Sequence, residues 1–139
     1  MNYKELIKEA LIARKSSYAP YSNFNVGAAL LTSEGKVYKG CNIENAAHTP
    51  SCCAERTAFF KAVSNDERDF KAIAIVAAAL DTPQDEFEYC APCGVCRQVM
   101  AEFCDLNEFE VILAKNEEEY KIYSVNDLLP LSFTSKDIG

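Results

Sequence analysis

At 139 residues, 49% hydrophobic and 25% charged, the chain has the length and composition of one globular domain with a single core. A formal net charge of −7, with 14 Lys and Arg scattered along the chain, argues against a nucleic-acid partner and suits a small uncharged or zwitterionic one. The longest apolar run, residues 72–80, is far too short to span a bilayer and no leader pattern opens the sequence, so a soluble cytoplasmic protein is expected.

Asn2 followed by Glu5 resembles a capping box, and Leu6, Ile7, Ala10 and Leu11 recur at helical spacing, which predicts a helix over residues 3–14. Residues 16–23 hold Pro20 and several hydroxyls and read as a loop with Phe24 at its exit. Apolar segments 26–32 and 37–41 flank Ser33-Glu34-Gly35-Lys36, the pattern of a β-hairpin. The polar stretch 42–50 then leads into a helix expected from about Ser51 to about Val63, with Cys53 in its first turn.

Residues 72–77 show no apolar/polar alternation, as in a central strand covered on both faces. An acidic loop, 81–91, follows. Pro92 precedes a helix over 93–103, since proline is favoured where a helix opens. Residues 110–114 and 120–123 read as two more strands, and Ser124 with Asp127 starts a short last helix that Pro130 ends. The order α-β-β-α-β-α-β-β-α predicts an α/β fold, a three-layer α/β/α sandwich around a five-stranded mixed sheet, in a single domain spanning 1–139.

Seven cysteines, an odd count, read as reduced thiols and metal ligands rather than a disulfide framework. Three of them stand in Cys53-Ala54-Glu55-Arg56 and Pro92-Cys93-Gly94-Val95-Cys96. Thiolates bind zinc strongly, and the two-residue gap between Cys93 and Cys96 lets one turn of backbone bring both sulfurs to one ion. A structural zinc site closes with four protein ligands, whereas a catalytic one keeps a position for water. Only three ligands are clearly offered, and Glu55, two residues past Cys53, is placed to face that open position as a general acid/base.

These residues resemble the signature of the zinc nucleobase deaminases, H-x-E…P-C-x-x-C, in its three-cysteine form. The resemblance to the small cytidine deaminases extends through Tyr18-Ala19-Pro20-Tyr21-Ser22-Asn23-Phe24, Val26-Gly27-Ala28-Ala29-Leu30, Gly40-Cys41-Asn42-Ile43-Glu44-Asn45-Ala46-Ala47 and Cys53-Ala54-Glu55-Arg56-Thr57-Ala58, and continues to Phe133. It implies a zinc cofactor on Cys53, Cys93 and Cys96, and hydrolytic deamination of cytidine and 2'-deoxycytidine to the uridines with loss of ammonia, in pyrimidine salvage. Glu55 would move protons from water to ring N3 and to the leaving amine. Arg56 would donate to a ligand sulfur and offset the charge of three thiolates.

The same resemblance implies that Asn42 and Glu44 hydrogen-bond the ribose, that Phe24 lies against the pyrimidine, and that the Ala54 backbone contacts the base. Phe133 would reach a neighbouring subunit's site in a homotetramer with shared active sites. Two positions depart from the family pattern: His48 stands where tyrosine is expected, and the loop 81–91 is longer than in compact relatives.

Other readings remain at this stage. Cys52 or His48 could close a four-ligand structural site, although neighbouring side chains on a helix diverge by about 100°. A zinc-stabilised interaction module would keep the thiols without needing Glu55. A polynucleotide-editing deaminase would need a basic groove that the sequence does not display. A deaminase of a cytosine-containing antibiotic is the nearest rival, with the ribose pair and Phe133 favouring the nucleoside.

Overall fold

A computed structural model describes residues 1–139 of the chain. Five strands, β1 (Phe24–Thr32), β2 (Val37–Cys41), β3 (Phe70–Ala79), β4 (Glu110–Ala114) and β5 (Tyr120–Tyr123), form one sheet in the order β2-β1-β3-β4-β5. The β1/β2, β1/β3 and β4/β5 pairs are antiparallel and β3/β4 is parallel, so the sheet is mixed. Four helices accompany it: α1 (Tyr3–Arg14), α2 (Ala54–Ser64), α3 (Gly94–Phe103) and α4 (Val125–Leu128).

The period of two along each strand divides the core. Ala29 and Leu31 of β1, Ala72, Ala74 and Val76 of β3 and Ile112 and Ala114 of β4 face α1, where they meet Leu6, Ile7 and Ala10. The intervening residues, Ala28, Leu30, Ile73, Ile75, Val111 and Leu113, pack with Ala54, Ala58 and Phe59 of α2, Met100 of α3 and Val125 of α4. This is the three-layer α/β/α sandwich that the element order implies, with one helix on one face and three on the other. No helix is long and apolar enough to cross a membrane.

Small residues on the strands set how close the helices come. A Cβ at Gly27 of β1 would strike Ala10 O and stand 2.5 Å from Arg14 N of α1. A Cβ at Gly40 of β2 would strike Ala54 O and stand 2.5 Å from Ala58 N of α2. The first turn of α2 therefore rests directly on the edge strand, which fixes its height over the sheet.

The strands at the sheet centre run further than the sequence suggests. Phe24 and Asn25 pair with Ala79 and Ala78, so β1 starts two residues early despite the polar Asn25, because β3 supplies partners for their backbone groups. The second helix begins later than Ser51. Ile43 N donates to Cys52 O at 2.9 Å and Cys52 N to Ile43 O at 2.8 Å, and this bridge keeps residue 52 extended until Cys53, the N-cap of α2. At α4 the expected capping box forms in both directions between Ser124 and Asp127. At α1 Asn2 accepts from Glu5 N at 2.9 Å, one half of the pattern.

The loop 81–91 contains a short 3-10 turn, Gln84–Glu86, and is pinned at both aromatic residues. Arg14 lies 4.7 Å from the centroid of Phe87, which is buried, while its guanidinium donates to Asn25 O at 3.0 Å and Ala78 O at 2.8 Å. Lys115 and Lys121 each place Nζ 4.8 Å from the ring centroid of Tyr89. The segment entering α3 is thereby tied to α1 and to the β4/β5 hairpin.

Candidate active site

Two helix starts bring the three thiols together. Cys53 is the N-cap of α2 and Cys93 the N-cap of α3, with Cys96 in the first turn of α3. Both cap residues are extended, with ψ of 155° and 166°, and neither side chain caps its own helix, so both sulfurs are free to turn outward. Cys53 Sγ stands 3.7 Å from Cys93 Sγ, and Cys93 Sγ stands 3.5 Å from Cys96 Sγ. All three sulfurs lie within 4.8 Å of one another.

Tetrahedral zinc with Zn–S bonds of about 2.3 Å needs sulfurs about 3.8 Å apart, so the donor set and its spacing fit the ion. Cys52 does not join the cluster, because its bridge to Ile43 holds it on the preceding extended segment. His48 is not in the cluster either. Three protein ligands leave one position of a tetrahedron open.

Glu55 sits in the first turn of α2 and is only 4% exposed. Burial pushes its carboxyl up to about 7 and the charge on Cys53 adds to the rise, while its own backbone N–H, Cys96 and Arg56 pull the other way. A carboxyl so placed exchanges protons near neutral pH, which is what acid/base work requires.

Arg56 Nη2 donates to Cys53 Sγ at 3.4 Å. The Cys53 thiol is held down to about 5, first by the hydrogen bond from Cys96 and then by Arg56. Cys96 moves up, because it shares its proton with the Cys53 thiolate and is buried. The Arg56 guanidinium is correspondingly held more firmly in its charged form by its bond to Cys53.

A cleft of about 410 Å³ opens beside the sulfurs, lined by Asn42, Glu44, His48, Cys53, Arg56 and Val95, among others. Ile43 bridges Tyr18 on one side and Cys52 on the other, which keeps the segment extended and sets Asn42 and Glu44 on the same wall. Phe24 begins β1 half-exposed, and its carbonyl accepts from Asn42 Nδ2 at 2.8 Å. Ala54 is fully buried at the start of α2. Neither Phe24 nor Phe133 is among the residues lining this cleft; Phe133 is 60% exposed and its carbonyl accepts from Gln98 Nε2 at 2.8 Å.

A family profile described as the cytidine and deoxycytidylate deaminase zinc-binding region matches residues 1–112. The chain belongs to this family. A cytidine deaminase of Sporosarcina psychrophila is 47% identical over 139 residues, covering 100% of this chain and 96% of its own. A cytidine deaminase of Halalkalibacterium halodurans is 48% identical over 139 residues, covering 100% of this chain and 99% of its own. The crystal structure of a cytidine deaminase from Burkholderia pseudomallei superposes with a TM-score of 0.84 at 46% identity, over 96% of this chain and 100% of that one.

The five-stranded α/β fold of this deaminase is thus the fold of its solved relatives, and zinc is the metal its family and its thiol cluster call for. Sequence reasoning overlooked the residues that hold the cleft walls in place. Ser17 and Ser22 donate to Asn42 and Glu44 respectively. Thr57 Oγ1 donates to Cys53 O at 3.1 Å, within the first turn of α2. The signal for the two serines was the hydroxyl-rich loop 16–23, but nothing in its order says which hydroxyl meets which partner 22 or 25 positions away.

Proposed function

We propose that this deaminase converts cytidine, and 2'-deoxycytidine, to uridine and 2'-deoxyuridine with release of ammonia, within one catalytic domain over residues 1–139. The observation that carries the proposal is the junction of three sulfurs at zinc-ligand spacing with a buried carboxyl, Glu55, beside them. When bound by Cys53, Cys93 and Cys96, zinc supplies Lewis acidity toward a water molecule.

The protein's own groups do the rest. Glu55 accepts a proton from the attacking water, delivers it to ring N3 as oxygen adds at C4, and passes a second proton to the amino group as it leaves. Water and cytidine thereby become uridine and ammonia, with no other reactant. A carboxyl poised near neutral pH by burial can act in both directions, which supports assigning all the transfers to one residue. Arg56 draws charge from the Cys53 thiolate, so that a site of three thiolates retains electrophilic strength.

Asn42 and Glu44 hold the ribose, Phe24 lies against the pyrimidine, and the Ala54 backbone meets the base. The exposure of Phe133, at 60%, supports a role in a neighbouring subunit's site, in a homotetramer. The net charge of −7 supports a nucleoside in place of a polynucleotide as substrate. Cytoplasmic pyrimidine salvage is the setting such an activity fits.

The test is direct. Purified protein incubated with cytidine should lower the ultraviolet absorbance of the cytosine ring, should stop when a zinc chelator is added, and should resume when zinc is restored. Persistent failure to consume cytidine with zinc bound would reject this reading. Analytical ultracentrifugation of the same sample should show a tetramer.

A further inference from the structure

Two serines, Ser17 and Ser22, flank the polar wall of the cleft, and each is bonded to one of the two residues assigned to the ribose. Asn42 Oδ1 accepts from Val26 N at 2.9 Å and from the Ser17 hydroxyl, which occupies both of its lone pairs. Asn42 Nδ2 donates to Phe24 O at 2.8 Å, which leaves one N–H. Flipping this amide would set its oxygen against the Phe24 carbonyl and its NH₂ against the Val26 N–H, so these two backbone groups fix its orientation. Asn42 therefore presents a donor to the cleft and nothing else.

Glu44 is fixed with the opposite polarity. Its Oε1 accepts from Tyr21 N at 3.0 Å and Ser22 N at 3.1 Å, and its Oε2 accepts from the Ser22 hydroxyl. Ser22 Oγ in turn accepts from Phe24 N at 3.0 Å, so its proton is committed to Glu44. The Ser22 hydroxyl is the leading cause that holds the Glu44 carboxyl below the ordinary range. Glu44 keeps a free lone pair on Oε2 and has no proton to give.

We propose that Ser17 and Ser22 are positioning residues for this wall: Ser17 seats the Asn42 amide, whose donor face the backbone of Val26 and Phe24 fixes, and Ser22 holds the Glu44 carboxylate in place as the acceptor. A wall with one donor and one acceptor grips a hydroxyl, which can accept from the first and donate to the second. It discriminates against a carbonyl or ether oxygen, which cannot satisfy Glu44, and against a phosphate, which the carboxylate repels. This inference rests on the reading of the cleft as a nucleoside site.

The experiment measures kcat and KM for cytidine, and the Kd of uridine by titration calorimetry, in zinc-loaded protein carrying Ser17→Ala, Ser22→Ala, Ser17→Thr or Ser22→Thr. The alanine variants should raise KM and weaken uridine by about tenfold while kcat stays within about twofold. Threonine, which keeps the hydroxyl, should restore both. If Ser22→Ala does not fold, Ser22→Cys keeps the bulk with a much weaker donor and should behave as the alanine variant is expected to.

Unchanged KM and Kd in the alanine variants would overturn the proposal, as would a loss confined to kcat or threonine variants as impaired as the alanine ones. Failure of the parent protein to deaminate cytidine would instead strike the reading of function on which the proposal stands.

Discussion

Arg56 Nη2 lies 3.4 Å from the sulfur of Cys53, three residues back along the chain and across the first turn of α2. The spacing is that of neighbours on one helix face, so the N-cap sulfur and the guanidinium meet without any loop having to order. The pairing bears on reactivity more than on retention of metal, because three sulfurs remain to hold the ion. Arg56→Ala should therefore keep its zinc, measured by elemental analysis, and lose about tenfold in kcat. Full activity at the same metal content would rule out the assigned role.

Glu55 carries a sharper expectation. Its carboxyl is 4% exposed and raised to about 7, so glutamine at this position keeps the shape but removes the buried carboxyl beside the sulfurs. Glu55→Gln should lower kcat by about 10³-fold while zinc content and melting temperature stay close to those of the parent. A variant within a few fold of the parent would show that another group moves the protons.

How much of this was legible beforehand differs by residue. The sheet and its helices follow from local signals: the capping pattern at Ser124 and Asp127, the unbroken apolar run of β3, and Pro92 before α3. That Cys93 and Cys96 would meet follows from their two-residue spacing, whereas the meeting of Cys53 with them, across 40 positions, was expected from the resemblance of the paired motifs to the deaminase signature. The start of α2 was not legible, since the bridge between Ile43 and Cys52 that delays it is a tertiary contact. The commitments of Asn42 and Glu44 to Ser17 and Ser22 were equally hidden, because they join a loop to an extended segment more than twenty residues away. Local pattern singles out the groups suited to chemistry, whereas the bonds that aim them depend on the folded chain.

Gly40 and Gly27 offer a paired test of what sets the height of α2. At both positions an added Cβ would collide with helix backbone, which cannot swing aside as a side chain can. Gly40→Ala and Gly27→Ala should each cost about 1–3 kcal/mol in chemical denaturation. Only Gly40 supports the turn that carries Cys53 and Glu55, so Gly40→Ala should also lower kcat in the protein that remains folded. Gly27→Ala should act mainly on stability, through α1 on the opposite face. Equal effects on kcat would mean that the two helices do not position the site independently.

The loop before Cys93 depends on cations resting against aromatic rings. Tyr89 has Lys115 and Lys121 at 4.8 Å each, and it also packs against the core beneath α2 and α3. Tyr89→Phe keeps the ring face and should leave both stability and metal retention nearly unchanged, whereas Tyr89→Leu removes the quadrupole and should cost roughly 0.5–1 kcal/mol per lost contact. Because Cys90, Pro92 and Cys93 follow directly, a loosened loop should release Cys93 more often. Zinc transfer to a chromogenic chelator should accordingly quicken in Tyr89→Leu. Replacing both lysines by methionine separates charge from packing, since the side-chain stems persist while the cations are lost. Accelerated zinc loss in that double variant, together with a diminished effect of salt on the rate, would assign the restraint to charge; an unchanged rate would assign it to packing alone.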